Sequence, residues 1–231
     1  MREPLVLLPG MMCDGRLFAP QVAAFSGGHP VMTMPLTGRS SVQGLAADIL
    51  SRTPDRFALA GLSMGGIVAM EVIRQAPERV SRLALLDTNP NAELVEVAAG
   101  REPQIQTVHA GGLRKVMREE MKPKYLAKVA NRQAILDLCM EMATSLGAQV
   151  FVDQSRALKT RPDQRKTLRH VGVPTLVLCG ALDTVCPPQR HELMRDLIPG
   201  AKLSLINGAG HLPVLERPEE TNKELLQWLN R

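Results

Sequence analysis

Phe57 begins the stretch FALAGLSMGGIVAMEVIRQ, which runs to Gln75. Residues 56–61 are predicted to form a strand, because their continuous apolar run is typical of a strand buried on both faces of a sheet. Residues 67–75 are predicted to form a helix. Between the two lies a G-x-S-x-G motif centred on Ser63. A serine in a sharp turn between a strand and a helix is typical of a nucleophile.

The two glycines of the motif have a physical reason. A turn this sharp pushes Gly61 and Gly65 against neighbouring backbone, where a side chain would clash. The following helix begins with free N–H groups and partial positive charge, which can stabilise an oxyanion. The motif alone leaves one alternative open, a glycine-rich turn in which Ser63 is incidental.

Further apolar runs predict a sheet. The other predicted strands are residues 5–8, 31–34, 83–86, 175–179 and 202–206. Helices are predicted at Gln189–Leu197 and Pro218–Leu229. Apolar strands that alternate with helices indicate an α/β fold, with a mostly parallel sheet of about six strands and helices on both faces.

This pattern is interrupted between the fourth and fifth predicted strands. Residues 89–170 contain helical spacing, as in Ile135, Cys139 and Met142, but no clear strand. The predicted core therefore comprises residues 1–88 and 171–231, with 89–170 as a helical cap inserted at the carboxyl edge of the sheet. Open parallel sheets bind their ligands at that edge.

A serine hydroxyl needs a base, and His211 is the best candidate. It follows the last predicted strand in a glycine-rich loop, on the same sheet edge as Ser63. The base needs a carboxylate to orient it, and two candidates follow strands at that edge. Asp183 follows the strand beside the one that leads to His211, and Asp87 is the alternative acid. The remaining histidines are expected to be solvated or to cap local structure, with His191 on a surface helix: His29, His109, His170 and His191.

Four segments together resemble the α/β-hydrolase superfamily, especially its small bacterial serine esterases and lactonase-like members. They are the strand and oxyanion loop at residues 7–12, the short loop at 36–40, the serine turn at 61–66 and the run GAGHLPVLERP at 208–218. The order serine, acid, histidine is also that of this superfamily. Two positions depart from the usual pattern, with Pro9 and Leu62 where histidines are common.

The resemblance implies a role for each matching residue. Ser63 would be the nucleophile, His211 the base and Asp183 the residue that orients it. The backbone N–H groups of Met11 and Met64 would form the oxyanion hole. The implied activity is hydrolysis of a small carboxylic ester through an acyl-enzyme. A lactonase, an enol-lactone hydrolase or a thioesterase of the same fold remains an alternative, and so does a non-catalytic receptor for small ligands.

Composition limits the partners. The chain has 231 residues and a net charge of +5, and residues 92–170 carry 14 basic against 9 acidic residues. This excess could steer anionic esters or be a solvated face; six aromatic residues and no nucleic-acid motif argue against nucleic acid. The four cysteines lack metal-ligand spacing, so neither metal nor cofactor is expected. A small-molecule ester substrate, no membrane span and a cytoplasmic location are predicted, while the oligomeric state stays open.

Overall fold

The fold is described from a computed structural model that covers residues 3–231. It contains six parallel strands in the order β2-β1-β3-β4-β5-β6. Their bounds are β1 Leu5–Leu8, β2 Val31–Thr33, β3 Phe57–Leu62, β4 Val80–Leu86, β5 Thr175–Gly180 and β6 Lys202–Ile206. The predicted six-stranded parallel sheet is confirmed. The four strands β1, β3, β4 and β5 are buried along almost their whole length, which explains their unbroken apolar sequences.

Ten α-helices accompany the sheet in the described residues. They are α1 Ala19–Phe25, α2 Val42–Arg52, α3 Met64–Gln75, α4 Val95–His109, α5 Leu113–Val116, α6 Arg132–Lys159, α7 Arg165–Leu168, α8 Pro188–Leu197, α9 Pro213–Glu216 and α10 Pro218–Leu229. Helices α2, α3 and α8 pack on one face of the sheet, and α1 and α10 pack on the other. Alternate residues of each strand therefore enter different cores; in β1, Val6 belongs to the core that contains α3, and Leu7 to the core that contains α1 and α10.

Several helix positions in the core differ from the sequence prediction. Helix α3 begins at Met64, directly after the serine, although Gly65 and Gly66 are weak helix formers. Helices α1, α2 and α9 were not predicted, and α8 begins at Pro188, one residue before its predicted start. Ser41 starts α2 by accepting a hydrogen bond from the N–H of Gly44, a common way to begin a helix.

Residues 89–170, the segment predicted as a cap, contain α4 to α7 and no strand. A separate apolar cluster holds this segment together, with Ile105 of α4 and Phe151 of α6 fully buried. Helix α6 is interrupted at Gly147, where φ is 81° and ψ is 176°. By length and composition α6 could cross a membrane, a test that core helices also pass. Here its residues Met142 and Phe151 are buried against other parts of the protein.

Candidate active site

Ser63 occupies a strained turn between β3 and α3. Its φ of 54° and ψ of −114° lie in a region that residues with a side chain rarely adopt. The N–H of Ser63 donates to the carbonyl of Leu86 on the neighbouring strand, at 2.9 Å. The hydroxyl of Thr88 donates to the carbonyl of Ser63 at 2.7 Å. These two bonds tie the turn to the end of β4.

The glycines around Ser63 leave no room for side chains. A Cβ on Gly61 would lie 2.3 Å from the carbonyl oxygen of Gly65. A Cβ on Gly65 would lie 2.0 Å from the carbonyl oxygen of Leu8 on β1. Both distances are far shorter than any real contact, so the predicted reason for the G-x-S-x-G spacing agrees with the packing.

The structure brings the three principal candidates together. The Nε2 atom of His211 lies 2.9 Å from the hydroxyl oxygen of Ser63, and its Nδ1 atom lies 2.8 Å from Oδ2 of Asp183. The three residues come from the loops after β3, β5 and β6, at the carboxyl edge of the sheet. Asp183 and His211 are both buried. The arrangement is a continuous chain of hydrogen bonds from carboxylate to imidazole to hydroxyl.

Asp183 is stabilised as a carboxylate. Its Oδ1 atom accepts hydrogen bonds from the N–H groups of Val185 and Cys186, at 2.7 and 3.0 Å. Burial opposes ionisation, but His211 and these N–H groups together keep the pKa of Asp183 below its usual value. The side chain therefore presents a negative charge to His211.

Among residues 3–231, Asp87 forms no hydrogen bond or ion pair with His211, whose partner is Asp183. Its Oδ1 atom accepts from the N–H of Gly180 at 2.8 Å, which links the ends of β4 and β5. Burial and the neighbouring charge of Asp183 raise the pKa of Asp87 well above its usual value. Oδ2 has no hydrogen-bond acceptor or donor assigned to it among residues 3–231. The alternative acid thus lies near Asp183, and it is Asp183 that forms the hydrogen bond to the imidazole.

His191 is buried, so the predicted surface position is wrong. The N–H of Thr88 donates to its Nε2 atom at 3.0 Å, and its Nδ1 atom lies 3.3 Å from the carbonyl of Pro187. Burial lowers the pKa of His191 to about 4, so the ring is neutral. His191 lies on the face of α8 that points toward the loop after β4, which the local sequence did not indicate. Through Thr88, His191 supports the backbone of Ser63.

The two backbone N–H groups proposed for the oxyanion hole keep their donor capacity. Met11 and Met64 both line the cavity that contains Ser63. Among residues 3–231, neither N–H donates to another backbone or side-chain acceptor. The next N–H along, that of Met12, donates to Oε1 of Gln154 on α6 at 2.8 Å, which fixes the loop after β1.

A sequence model of the alpha/beta hydrolase family matches residues 5–224. The chain belongs to this family. Among similar proteins are two pimeloyl-[acyl-carrier protein] methyl ester esterases. That of Legionella pneumophila strain Corby is 24% identical over 94% of this chain and 90% of its own length. That of Klebsiella pneumoniae subsp. pneumoniae is 28% identical over 96% of this chain and 91% of its own length.

Solved structures give the same family fold. A thermophilic esterase from Thermogutta terrifontis, determined with malate bound, superposes with a TM-score of 0.90 at 26% identity and covers 99% of this chain and 89% of its own. The enol-lactonase of Burkholderia xenovorans LB400 superposes with a TM-score of 0.89 at 21% identity, over 100% and 92% of the two chains. The named esterases support the predicted hydrolase of carboxylesterase type.

In this alpha/beta hydrolase, Glu216 holds the histidine loop. Its buried carboxylate accepts from the N–H groups of Gly210 and Leu212, on either side of His211, and from the N–H of Ala127 in the cap segment. Glu216 belongs to the run at 208–218, but no local pattern predicted a role for it. Three donors converge on this carboxylate from two regions of the chain. Glu216 is therefore a positioning residue for the loop.

The cavity of the hydrolase has a volume of about 460 Å³ and is lined by both the core and the cap segment. Ser63 and His211 open into it, and Ile67, Leu158 and Leu212 contribute apolar walls. Its lining also includes several charged residues: Glu93, Glu96, Arg101, Glu120, Lys124, Arg161 and Arg190.

One group of possible metal ligands coincides with the proposed machinery. Asp183, Cys186 and His211 offer ligand atoms within 4.8 Å of one another. Burial and the charge of Asp183 raise the pKa of the Cys186 thiol, which disfavours the thiolate that a metal needs. Asp183 and His211 already bind each other. These side chains therefore suit hydrogen bonding better than metal coordination.

Proposed function

We propose that this protein is a serine hydrolase that cleaves a small carboxylic ester through an acyl-enzyme on Ser63. The observation that carries the proposal is the hydrogen-bonded chain from Asp183 through His211 to the hydroxyl of Ser63. The strained turn and the open cavity present that hydroxyl to a ligand. A pure receptor would have no need of the three residues in this alignment.

The reaction follows from the positions of the donors and acceptors. Nε2 of His211 accepts the proton of Ser63 as the hydroxyl oxygen attacks the ester carbonyl. The N–H groups of Met11 and Met64 stabilise the oxyanion that forms. His211 then gives its proton to the departing alcohol, and Asp183 stabilises the imidazolium in between. A water molecule that His211 deprotonates releases the acid and restores Ser63.

Methyl esters are the first substrates to assay. The proteins from Legionella pneumophila and Klebsiella pneumoniae are named for a methyl ester. The small methanol leaving group suits a partly buried serine in a cavity that is also lined by residues of the cap segment. Lactones and thioesters of similar size belong in the same panel, because the proposed chemistry at Ser63 is common to all three.

The nucleophile can be tested by intact mass after incubation with a fluorophosphonate. We expect one adduct on the wild type, one on Ser51→Ala, which changes an exposed serine of α2, and none on Ser63→Ala. Ser63→Ala should also lower kcat for a methyl ester by at least about 10⁴-fold with the fold intact. An adduct on Ser63→Ala, or none on a folded wild type, would contradict the proposal.

A further inference from the structure

One part of the cavity carries an excess of buried positive charge. The side chain of Glu93 is only 5% exposed. It pairs with Arg101 of α4 and with Arg161, which follows α6. Nη1 of Arg161 lies 2.9 Å from its Oε1 atom, and Nε of Arg101 lies 2.6 Å from its Oε2 atom. The side chains of Arg161 and Arg101 are only 8% and 12% exposed. Two guanidinium groups therefore share one carboxylate beside the cavity.

Arg190 adds a third guanidinium to the same cavity. It is partly buried, and among residues 3–231 no carboxylate lies within 4.0 Å of it. Its position in the first turn of α8 places its charge at the positive end of the helix, where a cation is unfavourable. It also lies near Arg161: burial lowers the pKa of Arg161, and the charges of Arg101 and Arg190 lower it further, against the effect of Glu93.

Arg161 donates to Glu93 and to the carbonyl of Asn91, but it shares Glu93 with Arg101, and Arg190 has no paired carboxylate among residues 3–231. Like charges held together in a partly desolvated cavity repel each other, and removing them from water costs free energy. A bound anion would relieve both costs. The planar guanidinium group matches a carboxylate particularly well, because two parallel N–H donors meet its two oxygens.

We infer that Arg190, together with Arg161 in the same cavity, forms a subsite for a carboxylate on the ester substrate. The inference rests on the proposed function, because Ser63 lines the same cavity and would attack the ester group. Ile67 and Leu158 supply apolar lining in that cavity, which suits a hydrocarbon chain. The substrate class is a half ester of a dicarboxylic acid, with the free carboxylate bound at Arg190.

The test compares pairs of substrates that differ only in charge. One series is the monomethyl esters of straight-chain dicarboxylic acids with four to eight carbons. The other replaces the free carboxylate of each by a carboxamide of nearly equal size. We expect at least one chain length at which the wild type prefers the carboxylate by about tenfold or more in kcat/KM. Added salt should reduce that preference.

Substitutions in α8 test whether Arg190 causes the preference for the carboxylate substrate. Arg190→Gln should remove it, chiefly through a higher KM for the carboxylate, and leave the carboxamide rate within about twofold. Arg190→Lys should retain part of it, because lysine keeps the charge but not the paired donors. Arg195→Gln is the matched control, since Arg195 lies on the same helix, is exposed and pairs with Asp196. It should behave as the wild type.

Two results would overturn the subsite. The wild type could hydrolyse both series equally at every chain length and salt concentration, or Arg190→Gln could slow both series equally. Calorimetric titration with heptanedioate distinguishes a failure of the subsite from a failure of the proposed hydrolysis, because binding needs no turnover. Binding that is weakened about tenfold in Arg190→Gln, but not in Arg195→Gln, supports the subsite even if no ester is cleaved. Equal binding by all three proteins contradicts it.

Discussion

Two glycines show how the carboxyl edge of the sheet differs from the cap segment. A Cβ on Gly65, beside the serine, would lie 2.0 Å from the carbonyl oxygen of Leu8. A Cβ on Gly147, within α6, would have no heavy atom within 4 Å, but its backbone has a φ of 81°. Packing therefore requires the first glycine, and local conformation requires the second.

Exposure follows the same division. Asp183 and His211 are each 3% exposed, whereas Val95 at the start of α4 is 83% exposed. Side chains at the sheet edge are each held by several hydrogen-bond partners, whereas side chains in parts of the cap segment have few such partners. We therefore expect substitutions at the edge to remove activity or folding, and substitutions in the cap segment to have smaller effects.

The largest effect is expected at the carboxylate that contacts the imidazole. Asp183→Asn should lower kcat by about 10⁴-fold, because the amide cannot stabilise the imidazolium or fix its tautomer. Asp87→Asn should lower kcat by less than about tenfold, since the amide oxygen can still accept from the N–H of Gly180. Steady-state kinetics on one methyl ester would decide the matter. The opposite order would transfer the role to Asp87.

Gly65→Ala should be one of the most damaging glycine substitutions. The added methyl group would force β1 and the serine turn apart, at a cost of at least about 3 kcal/mol in the free energy of unfolding. Urea unfolding and fluorophosphonate labelling of the same preparation would measure both consequences. If the variant unfolds like the wild type and still reacts with the fluorophosphonate, the backbone at this edge can move enough to accommodate the methyl group.

Stability should fall in acid because of His191. Its pKa is about 4 in the folded protein, whereas an unfolded histidine has a pKa of about 6.5. The unfolded chain thus binds a proton first as the pH drops below about 6.5, and the loss of stability reaches about 2 kcal/mol at pH 5. Urea unfolding of His191→Gln between pH 7 and 5 should show a correspondingly smaller loss. His170→Gln, at an exposed histidine, should keep the full loss.

The smallest effects are expected in the cap segment. Gly147→Ala should cost about 1–2 kcal/mol in the free energy of unfolding, because alanine rarely adopts this backbone conformation. Gly100→Ala, within α4 and with open space around it, should raise that free energy by about 0.5–1 kcal/mol. Equal effects of the two substitutions would remove the conformational explanation for Gly147.

Local patterns predicted the sheet because each buried strand is a short continuous run of apolar residues. The strands at 5–8 and 202–206 and the helix at Pro218–Leu229 were predicted to the residue. Helix α2 was missed although Val42, Leu45 and Ile49 follow helical spacing after Ser41. Its signal was present in the sequence.

The rest depends on contacts between distant residues. The charged residues of α8 suggest exposure, but His191 and Met194 share a face that turns inward. Glu93 and Arg161 are far apart in sequence, and no local pattern indicates that they pair. The meeting of Ser63 with His211 was predictable, because both lie where parallel strands end at the same edge.

Strand order also sets when the proposed enzyme becomes competent during synthesis. From β3 to β6 each strand joins the sheet in chain order, at the edge left open by the one before it. His211 follows β6 and lies 148 residues after Ser63, which a ribosome needs roughly 7 to 30 seconds to add. During that interval the nascent chain carries a serine without its base and an unpaired strand edge. Addition of the last strand and arrival of the base for Ser63 thus belong to the same late stage of synthesis, so an unfinished chain would be hydrolytically silent.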